Sequence, residues 1–430
     1  MKLLLVASGS FFSTYGGGQV YVKNLVDELL RQGVSPVIAT PGRSTDLQEE
    51  KYKGCRVVKF PQSTSEDDIQ QSILEKIKPS VVHAHGYKAL FAVACSRLDI
   101  PCIITAHHGG ILCPAGTLLN HKDEICRNRA NLKDCLPCVL KNIRGGSAAE
   151  PLLRMLPFAL QLRLGRVIKR LPFIFYLTPV IQAALGIQKK IAEWRTIYTK
   201  AALIIAPSTG IAQSMIQNGC PTDQIEVVPH GVPEPSKKSP ESAQRLKKHH
   251  KDIQFFYVGR VSRSKGVHVM LEAFSALHGN AGLHIIGGVV GKNEQRYMEK
   301  LEKKYRNNQR IIWHGKVESN RIYEQIAQYD VMIHPAICLE VFGLNVAEAL
   351  SLGKPVIATR CGGPEIQIQD GVNGWLVMPN DVGALEQALQ KFVRGGEAIK
   401  NFRVIHSDKK PITIDKHVNK LIKVYEKNIN

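Results

Sequence analysis

Two basic side chains stand where a strand passes into a helix in the segment FFYVGRVSRSKGVHVMLEAF. Arg260 follows the apolar strand directly after Gly259, and Lys265 precedes a helix whose apolar residues recur at helical spacing. Two fixed cations beside a helix N-terminus suit a diphosphate, because the helix end adds its own positive potential. A solvated basic pair has the same pattern, so this segment alone leaves both interpretations open.

Two carboxylates occur further along, in LEVFGLNVAEAL. Glu340 follows a strand, and Glu348 lies inside a helix predicted to begin near Leu344. The backbone N–H groups of Phe342, Gly343 and Leu344 would then lie at an anion-binding helix end. Carboxylates in a cleft need hydrogen-bond donors, which sugar and ribose hydroxyls supply. A glycosidase also uses two carboxylates, but the flanking helix end favours a nucleotide sugar.

Three consecutive glycines, Gly16, Gly17 and Gly18, separate the first apolar strand from the first helix. A backbone without side chains lets a phosphate or a sugar approach the N–H groups at a helix start. Gly17 would allow the closest approach. A permissive turn explains the same glycines, and both interpretations stay open.

Histidines follow two apolar strands of the first half. His107 and His108 come just after the run 102–105, and His83 and His85 stand at the end of the preceding strand. Because the carboxyl ends of parallel strands share one sheet edge, we expect His107 and His108 at the edge of a cleft. His83 and His85 are weaker candidates for residues of the functional site.

The elements that must position these residues follow a βα alternation. Apolar runs of strand character recur along the chain, and segments with helical periodicity lie between them. This alternation predicts an α/β protein with parallel sheets covered on both faces. The predicted strands are Leu3–Ala7, Val57–Phe60, Ser80–His83, Cys102–Thr105, Leu203–Ala206, Glu226–Val228, Gln254–Val258, Leu283–Ile286, Ile311–Trp313, Val331–His334 and Pro355–Ala358.

A linker-like composition divides the chain. Prolines, serines and lysines interrupt the apolar pattern in PHGVPEPSKKSPESAQRLKKHHKD, from Pro229, which predicts a domain boundary. A chain of 430 residues has room for two domains. Two doubly wound domains would face each other across a cleft at the carboxyl ends of their strands, where such folds bind ligands.

Together these motifs resemble the family-4 glycosyltransferases of GT-B fold, which transfer a sugar from a nucleotide diphosphate donor with retention of anomeric configuration. The resemblance covers nearly the whole chain, and its further support is the stretch EVVPHGV. It implies two Rossmann-like domains facing across a cleft. Residues 1–228 would bind the acceptor, residues 229–411 would bind the nucleotide sugar, and a C-terminal helix in 412–430 would return to the first domain.

The resemblance also implies roles for the site residues. Arg260 and Lys265 would hold the donor diphosphate, and Glu348 would bind the ribose hydroxyls. Glu340 and the N–H groups after it would contact the transferred sugar, as would His107. The implied catalytic residues are His107, Arg260, Lys265 and Glu340, and the implied donor-binding residues are Gly17, Gly18, Gly259, Arg260, Lys265, Glu340, Phe342, Gly343, Leu344 and Glu348.

No metal or other cofactor is expected in the reaction. Fixed cations aimed at the leaving diphosphate stabilise the charge that develops as its bond to the sugar breaks. The sequence also holds no Asp-x-Asp motif. The family typically has Asn where this chain has His230, a change that we expect to matter little. His108 stands where many relatives have Asp, which leaves its role open.

Other functions fit the same scaffold. A sugar-nucleotide epimerase and a glycan phosphorylase share the fold, and a binding protein without activity is a further class. The presence of Arg260, Lys265, Glu340 and Glu348 argues against the inactive class.

Four cysteines lie close together in residues 113–138: Cys113, Cys126, Cys135 and Cys138, the last two in CLPC. Such a set can form a structural zinc site. The irregular first spacings are equally typical of unligated thiols in a folded loop.

The formal charge of +20 predicts an anionic partner. Nucleic acid is not expected, because no zinc-finger or base-stacking motif is present. Residues 141–200 hold eleven Lys and Arg against two Asp and Glu, around an apolar segment at 171–187 that two prolines make a poor membrane span. This segment suits a surface anchor on anionic lipid, and equally a set of helices packed inside the first domain.

The expected location is the cytoplasm, with peripheral attachment to the cytoplasmic face of the membrane as the open alternative. The apolar start of MKLLLVASGS is shorter than the core of a secretory signal and is expected to be a buried strand. In the cytoplasm the ten cysteines would be reduced thiols or metal ligands.

Overall fold

The computed structural model describes residues 1–9, 11–12, 17–141, 178–235, 252–318, 321–394 and 411–429. Within them the chain forms two α/β domains, each built on its own sheet. Strands that are apolar on both faces need helices on both sides, which is why the βα alternation produces this architecture. The predicted fold class of two doubly wound domains is confirmed.

The first sheet contains β1 Leu3–Val6, β2 Val37–Gly42, β3 Gln48–Tyr52, β4 Cys55–Pro61, β5 Val81–Ala84, β6 Cys102–Thr105, β7 Leu203–Ala206 and β8 Ile225–Val227. Their spatial order is β3-β4-β2-β1-β5-β6-β7-β8. Neighbouring strands run parallel except β3 and β4, which pair as an antiparallel hairpin. The first predicted strand is therefore present as β1, which is buried along its whole length.

The helices of the first half are α1 Gly17–Arg31, α2 Glu66–Ile69, α3 Glu75–Ile77, α4 Lys88–Arg97, α5 Leu132–Lys141, α6 Thr178–Lys200 and α7 Thr209–Gln217. A π-helical turn at Gln70–Leu74 joins α2 to α3. Along α1, Val22, Leu25, Val26 and Leu29 are buried in the core of the first domain. This is the apolar face that helical periodicity predicts.

The second sheet contains β9 Ile253–Val258, β10 Ala281–Ile286, β11 Ile311–Gly315, β12 Val331–His334, β13 Val356–Thr359 and β14 Gly374–Val377. Their order is β11-β10-β9-β12-β13-β14, with all neighbours parallel. The helices of this half are α8 Val267–Ala276, α9 Gly291–Tyr305, α10 Ile322–Ala327, α11 Leu344–Ser351 and α12 Val382–Arg394.

The C-terminal helix α13, Ile414–Ile429, packs on the first domain. Val418, Leu421 and Tyr425 are buried in the same apolar cluster as α1 and β1. The chain reaches this position beside the interdomain connection, where Val232 forms a bridge with Thr413. The last helix therefore ties the end of the chain to the domain that contains its start.

The apolar segment 171–187 is described only from residue 178 onward, where it forms the start of α6. Val180 and Ala183 are buried there against Leu140 of α5, and Leu185 is about half exposed. The described part of the segment therefore packs one face against the first domain and leaves other side chains exposed. The basic residues predicted to flank it at 163–170 lie outside the described residues. Among the described helices, none has the length and apolar character needed to cross a bilayer.

Candidate active site

The candidate residues lie where the strand order reverses in each sheet. In the second sheet β9 and β12 are neighbours although they are distant in sequence. Arg260 and Lys265 follow β9, and Glu340 follows β12. The helices that leave such a pair of strands diverge to opposite faces, which opens a crevice at the strand ends. Topology thus brings these three side chains to one crevice.

Lys265 and Glu340 form an ion pair in this crevice, in which Lys265 Nζ donates a hydrogen bond to Glu340 Oε1. Their side chains are 25% and 11% exposed. Burial alone would raise the pKa of Glu340, but the adjacent positive charge of Lys265 outweighs burial and holds this pKa below its usual value. The crevice therefore keeps a lysine cation and a carboxylate side by side at neutral pH.

Gly266 fixes the turn that carries Lys265. Its backbone is left-handed, with φ of +68°, and a Cβ at this position would lie 1.8 Å from the carbonyl oxygen of Pro335. The amide of Ile337 donates a hydrogen bond of 3.0 Å to Ser264 O in the same turn. The turn after β9 therefore rests directly on the segment after β12, which places Lys265 against Glu340.

Replacing Gly266 with alanine is expected to destabilise the protein by clearly more than the ~1–2 kcal/mol that a left-handed backbone costs a residue with a Cβ. Gly353→Ala is the matched control, because Gly353 has φ of +66° and no atom within 4 Å of its added Cβ. Thermal unfolding of the two variants separates the clash from the backbone cost. Equal losses of Tm would show that the contact with Pro335 does not matter.

The N-terminus of α11 borders the ion pair. Gly343 stands before the helix with φ of +81°, and the amide of Gln367 donates to the carbonyl of Phe342. Within the described residues, the N–H groups of Phe342, Gly343 and Leu344 have no hydrogen-bond partner. Unpaired N–H groups at a helix start form an anion site.

The glycine segment of the first domain reaches the same helix. A Cβ on Gly17 would lie 3.5 Å from Leu344 Cδ1, and a Cβ on Gly18 would lie 3.7 Å from His107. The start of α1 therefore lies near Leu344 of the second domain and His107 of the first, with room for a Cβ at either glycine. Gly16 lies outside the described residues.

Glu348 lies one turn into α11 and is half-buried. Burial raises the pKa of its carboxyl to about 7. No ion pair with another described residue compensates this burial. A carboxyl in this state gains from hydroxyl donors on a ligand, as the ribose prediction requires.

Arg260 is half exposed and pairs with Glu294 at 3.2 Å rather than with the Lys265–Glu340 pair. Gly259 before it has φ of +154°, and a Cβ on Gly287 would lie 1.8 Å from Gly259 O. This close approach of two glycines sets the end of β9 against the end of β10. Arg260 therefore lies at the crevice with its guanidinium turned to the start of α9.

His107 reaches the cleft from the first domain within a group of histidines. His85 Nδ1 and His107 Nε2 lie 2.7 Å apart, and the His107 ring stacks on His230 at 5.3 Å between centroids. The His230 ring in turn packs edge-on against the ring of Phe342 in the second domain, with 5.4 Å between the two ring centroids. Burial holds the pKa values of His85, His107 and His230 well below the usual value, so the rings are neutral.

His83 and His108 have different surroundings. His83 is buried, and its two ring nitrogens each lie 2.7 Å from a hydroxyl, those of Tyr425 and Thr105. This arrangement fixes the C-terminal helix to the first sheet. His108 is exposed at the start of a short 3₁₀ turn.

Sequence reasoning missed several contacts of this region. His230 contacts rings of both domains, and His417 of α13 lies 2.6 Å from the hydroxyl of Tyr21. Asp123 pairs with Arg263 across the cleft at 2.7 Å. No local signal marks these pairs, because the partners are far apart in sequence.

The four loop cysteines are half-buried thiols. Burial raises the pKa of Cys126, Cys135 and Cys138, to about 11 for Cys135, so without a metal these thiols are protonated at neutral pH. Among the described residues, no three cysteine, histidine or carboxylate side chains converge as metal ligands. The arrangement therefore does not fit a metal as it stands, and zinc stays a prediction that metal analysis of the purified protein would test.

Comparisons with known proteins agree with this geometry. The family model described as Glycosyl transferases group 1 matches residues 238–404, and Glycosyltransferase Family 4 matches residues 15–124. Two Rossmann-like domains with a site at the switch points make up the GT-B fold. The chain belongs to the group 1 glycosyltransferases of family 4.

Similar proteins come from several bacteria. Lipopolysaccharide 1,6-galactosyltransferase of Escherichia coli is 30% identical over 50% of this chain and 58% of its own length. Sucrose synthase of Acidithiobacillus caldus is 35% identical over 32% of this chain and 19% of its own. The matches thus span less than two thirds of these relatives. The structure of Anabaena HepE in complex with UDP shares the fold, with a TM-score of 0.68 and 16% identity over 99% of this chain and 100% of that one.

Proposed function

We propose that the protein transfers a sugar from a nucleoside diphosphate sugar to a glycan or lipid-linked acceptor, with retention of configuration and without a metal. The observation that carries this proposal is the Lys265–Glu340 pair beside the unpaired N–H groups of α11. This constellation offers fixed positive charge for a diphosphate and a carboxylate for sugar hydroxyls within one crevice. The UDP bound by Anabaena HepE makes a uridine nucleotide the first donor to test.

Donor binding would rearrange the ion pair. Lys265 Nζ would donate to a phosphate oxygen, and Glu340 would accept from hydroxyls of the transferred sugar in place of the lysine. Arg260 would reach the diphosphate by leaving Glu294, a partly exposed contact that costs little to break. Glu348 would accept from the ribose hydroxyls and would then be fully ionised, because hydrogen bonds to the charged form lower a carboxyl pKa.

These residues stabilise the transition state more than the bound donor. As the anomeric carbon separates from the phosphate, negative charge grows on the leaving diphosphate beside Lys265 and the helix end. Because these groups are already held in place, no free energy is needed to reorient them when that charge appears. The acceptor hydroxyl would attack from the same face, and the leaving phosphate would take its proton. His107, held by His85 and His230, would orient the sugar.

A product assay tests the proposal. The protein is incubated with UDP-glucose, UDP-galactose, UDP-N-acetylglucosamine or GDP-mannose and a bacterial lipid extract, and products are identified by mass spectrometry and the anomer by NMR. Transfer is expected to persist in excess EDTA, because protein cations and a helix end bind the diphosphate. Activity that is lost in EDTA and returns with Mg²⁺, while the protein stays folded, would contradict metal independence. Nucleotide binding without any turnover would indicate a binding protein instead.

We also propose that the acceptor is presented at a membrane and that the first domain docks there. The basic excess of residues 141–200 supports attachment to anionic lipid, at about 1 kcal/mol for each basic residue near the surface. Sedimentation with anionic liposomes is expected to capture the protein at low salt and to weaken at high salt. Replacing Arg163, Arg166, Lys169 and Arg170 with serine should lower the bound fraction. Equal binding to neutral and anionic vesicles would contradict docking by charge.

A further inference from the structure

A second pocket lies beside the donor crevice, between the cysteine loop of the first domain and the start of α9. Its volume is about 320 Å³, at the lower end of the range typical of small-molecule sites. Thr117, His121 and Asp123 line it from the loop, and Arg263 and Asn293 line it from the second domain. The pocket therefore exists only where the two domains meet.

The charged groups of this pocket are already paired. Asp123 accepts hydrogen bonds from Arg263 at 2.7 Å and from Lys141 at 2.9 Å. Burial alone would raise the pKa of Asp123, but these hydrogen bonds outweigh burial and hold the pKa below its usual value. Glu294, which also lines the pocket, pairs with Arg260. Opposite charges thus balance within the pocket.

Several uncharged polar groups of the pocket remain available. Within the described part of the chain, the side chains of Thr117, His121 and Asn293 make no hydrogen bond. Leu119 and the ring of Tyr297 add apolar surface, since the Tyr297 hydroxyl is already engaged by His268 at 2.9 Å. The pocket therefore offers free donors and acceptors around an apolar floor.

We propose that this pocket binds a neutral sugar residue of the acceptor, on the flank of the diphosphate site. Sugar hydroxyls both donate and accept, so they match an amide, an imidazole and a hydroxyl together with the outer atoms of paired ions. An anionic ligand would instead face Asp123 and Glu294 and would have to compete for cations that are already engaged. The assignment to the acceptor rests on the proposed glycosyltransferase function.

The pocket connects to the donor side through Arg260. Glu294 lines the pocket and holds the Arg260 guanidinium, which follows β9 at the donor crevice. A sugar hydroxyl that donates to Glu294 would weaken this ion pair and release Arg260 toward the diphosphate. Acceptor binding would thereby favour the arrangement of the donor site needed for transfer.

Saturation-transfer NMR tests the site with methyl α-glucoside, methyl α-galactoside and methyl α-mannoside as probes, and with glucuronate as the anionic comparison. At least one neutral glycoside is expected to bind the intact protein, better than glucuronate does. Thr117→Val removes a hydroxyl at nearly constant size, and Asn293→Leu removes the amide and narrows the pocket. Each is expected to weaken glycoside binding at least 10-fold.

Asn307→Leu is the matched control, because Asn307 is exposed beyond the other end of α9. UDP binding, measured by calorimetry, should be unchanged in all three variants. If no neutral glycoside binds, or if both pocket variants bind it like the intact protein, the sugar site is wrong even when UDP binds normally. If UDP does not bind the intact protein, the proposed function fails, and with it the assignment of this sugar to an acceptor.

Discussion

Replacing Lys265 with alanine is expected to lower kcat/KM for the donor about 10- to 150-fold, because a charge-assisted hydrogen bond to phosphate contributes about 1.5–3 kcal/mol. Donor affinity should fall, since the cation contacts the diphosphate already in the ground state. The chemical step should slow as well, because negative charge on the leaving phosphate increases in the transition state. Steady-state rates over a range of donor concentrations separate the two losses.

The variant also leaves Glu340 buried without its cation, so the fold must be checked separately. Thermal unfolding should show a loss of stability but a single folded population. Lys265→Arg keeps the charge and is expected to retain more activity than Lys265→Ala. Lys300→Ala removes an exposed lysine of α9 and controls for net charge. Donor kinetics equal to those of the unaltered protein in a folded Lys265→Ala variant would remove Lys265 from the mechanism.

The sequence could predict the strands and the crevice because both follow from apolar runs and from topology. The eleven predicted strands all have counterparts, with ends shifted by up to two residues. The strands at Val37–Gly42, Gln48–Tyr52 and Gly374–Val377 were not predicted. Gln48–Tyr52 carries polar, mostly exposed side chains and is held by hairpin pairing, so it lacks the apolar signal that marks the other strands.

The sequence could predict those parts of the site that lie at the ends of neighbouring parallel strands. Lys265 and Glu340 could be assigned to one crevice because parallel strands place their carboxyl ends at one edge. Their direct ion pair could not be predicted, because it depends on the contact of Gly266 with Pro335. The Arg260–Glu294 contact likewise depends on the direction in which α9 leaves β10. Such details are set by tertiary packing, which local pattern does not record.

The burial of several histidines was not predicted, and it gives the stability of the protein a strong pH dependence. His83, His334 and His417 have pKa values lowered by burial from 6.5 to about 3, 4 and 4 respectively. Their folded pKa values lie below the unfolded value, so the unfolded chain binds more protons once the pH falls below about 6.5. The stabilising effect of the neutral rings is therefore complete above pH 6.5 and is lost as pH falls toward 4.

The free energy of unfolding is expected to drop between pH 7.5 and pH 5 by roughly 2 kcal/mol for each such ring, a large part of the ~5–15 kcal/mol of a typical domain. Urea unfolding at a series of pH values measures this loss. His417→Gln removes one titrating ring between α13 and Tyr21. The plot of its unfolding free energy against pH should therefore be less steep, by ~1.4 kcal/mol per pH unit at the steepest point, which corresponds to about one proton. His278→Gln, at an exposed position, should follow the unaltered protein. An equal slope in His417→Gln would show that this ring does not hold the last helix to the first domain in its neutral form.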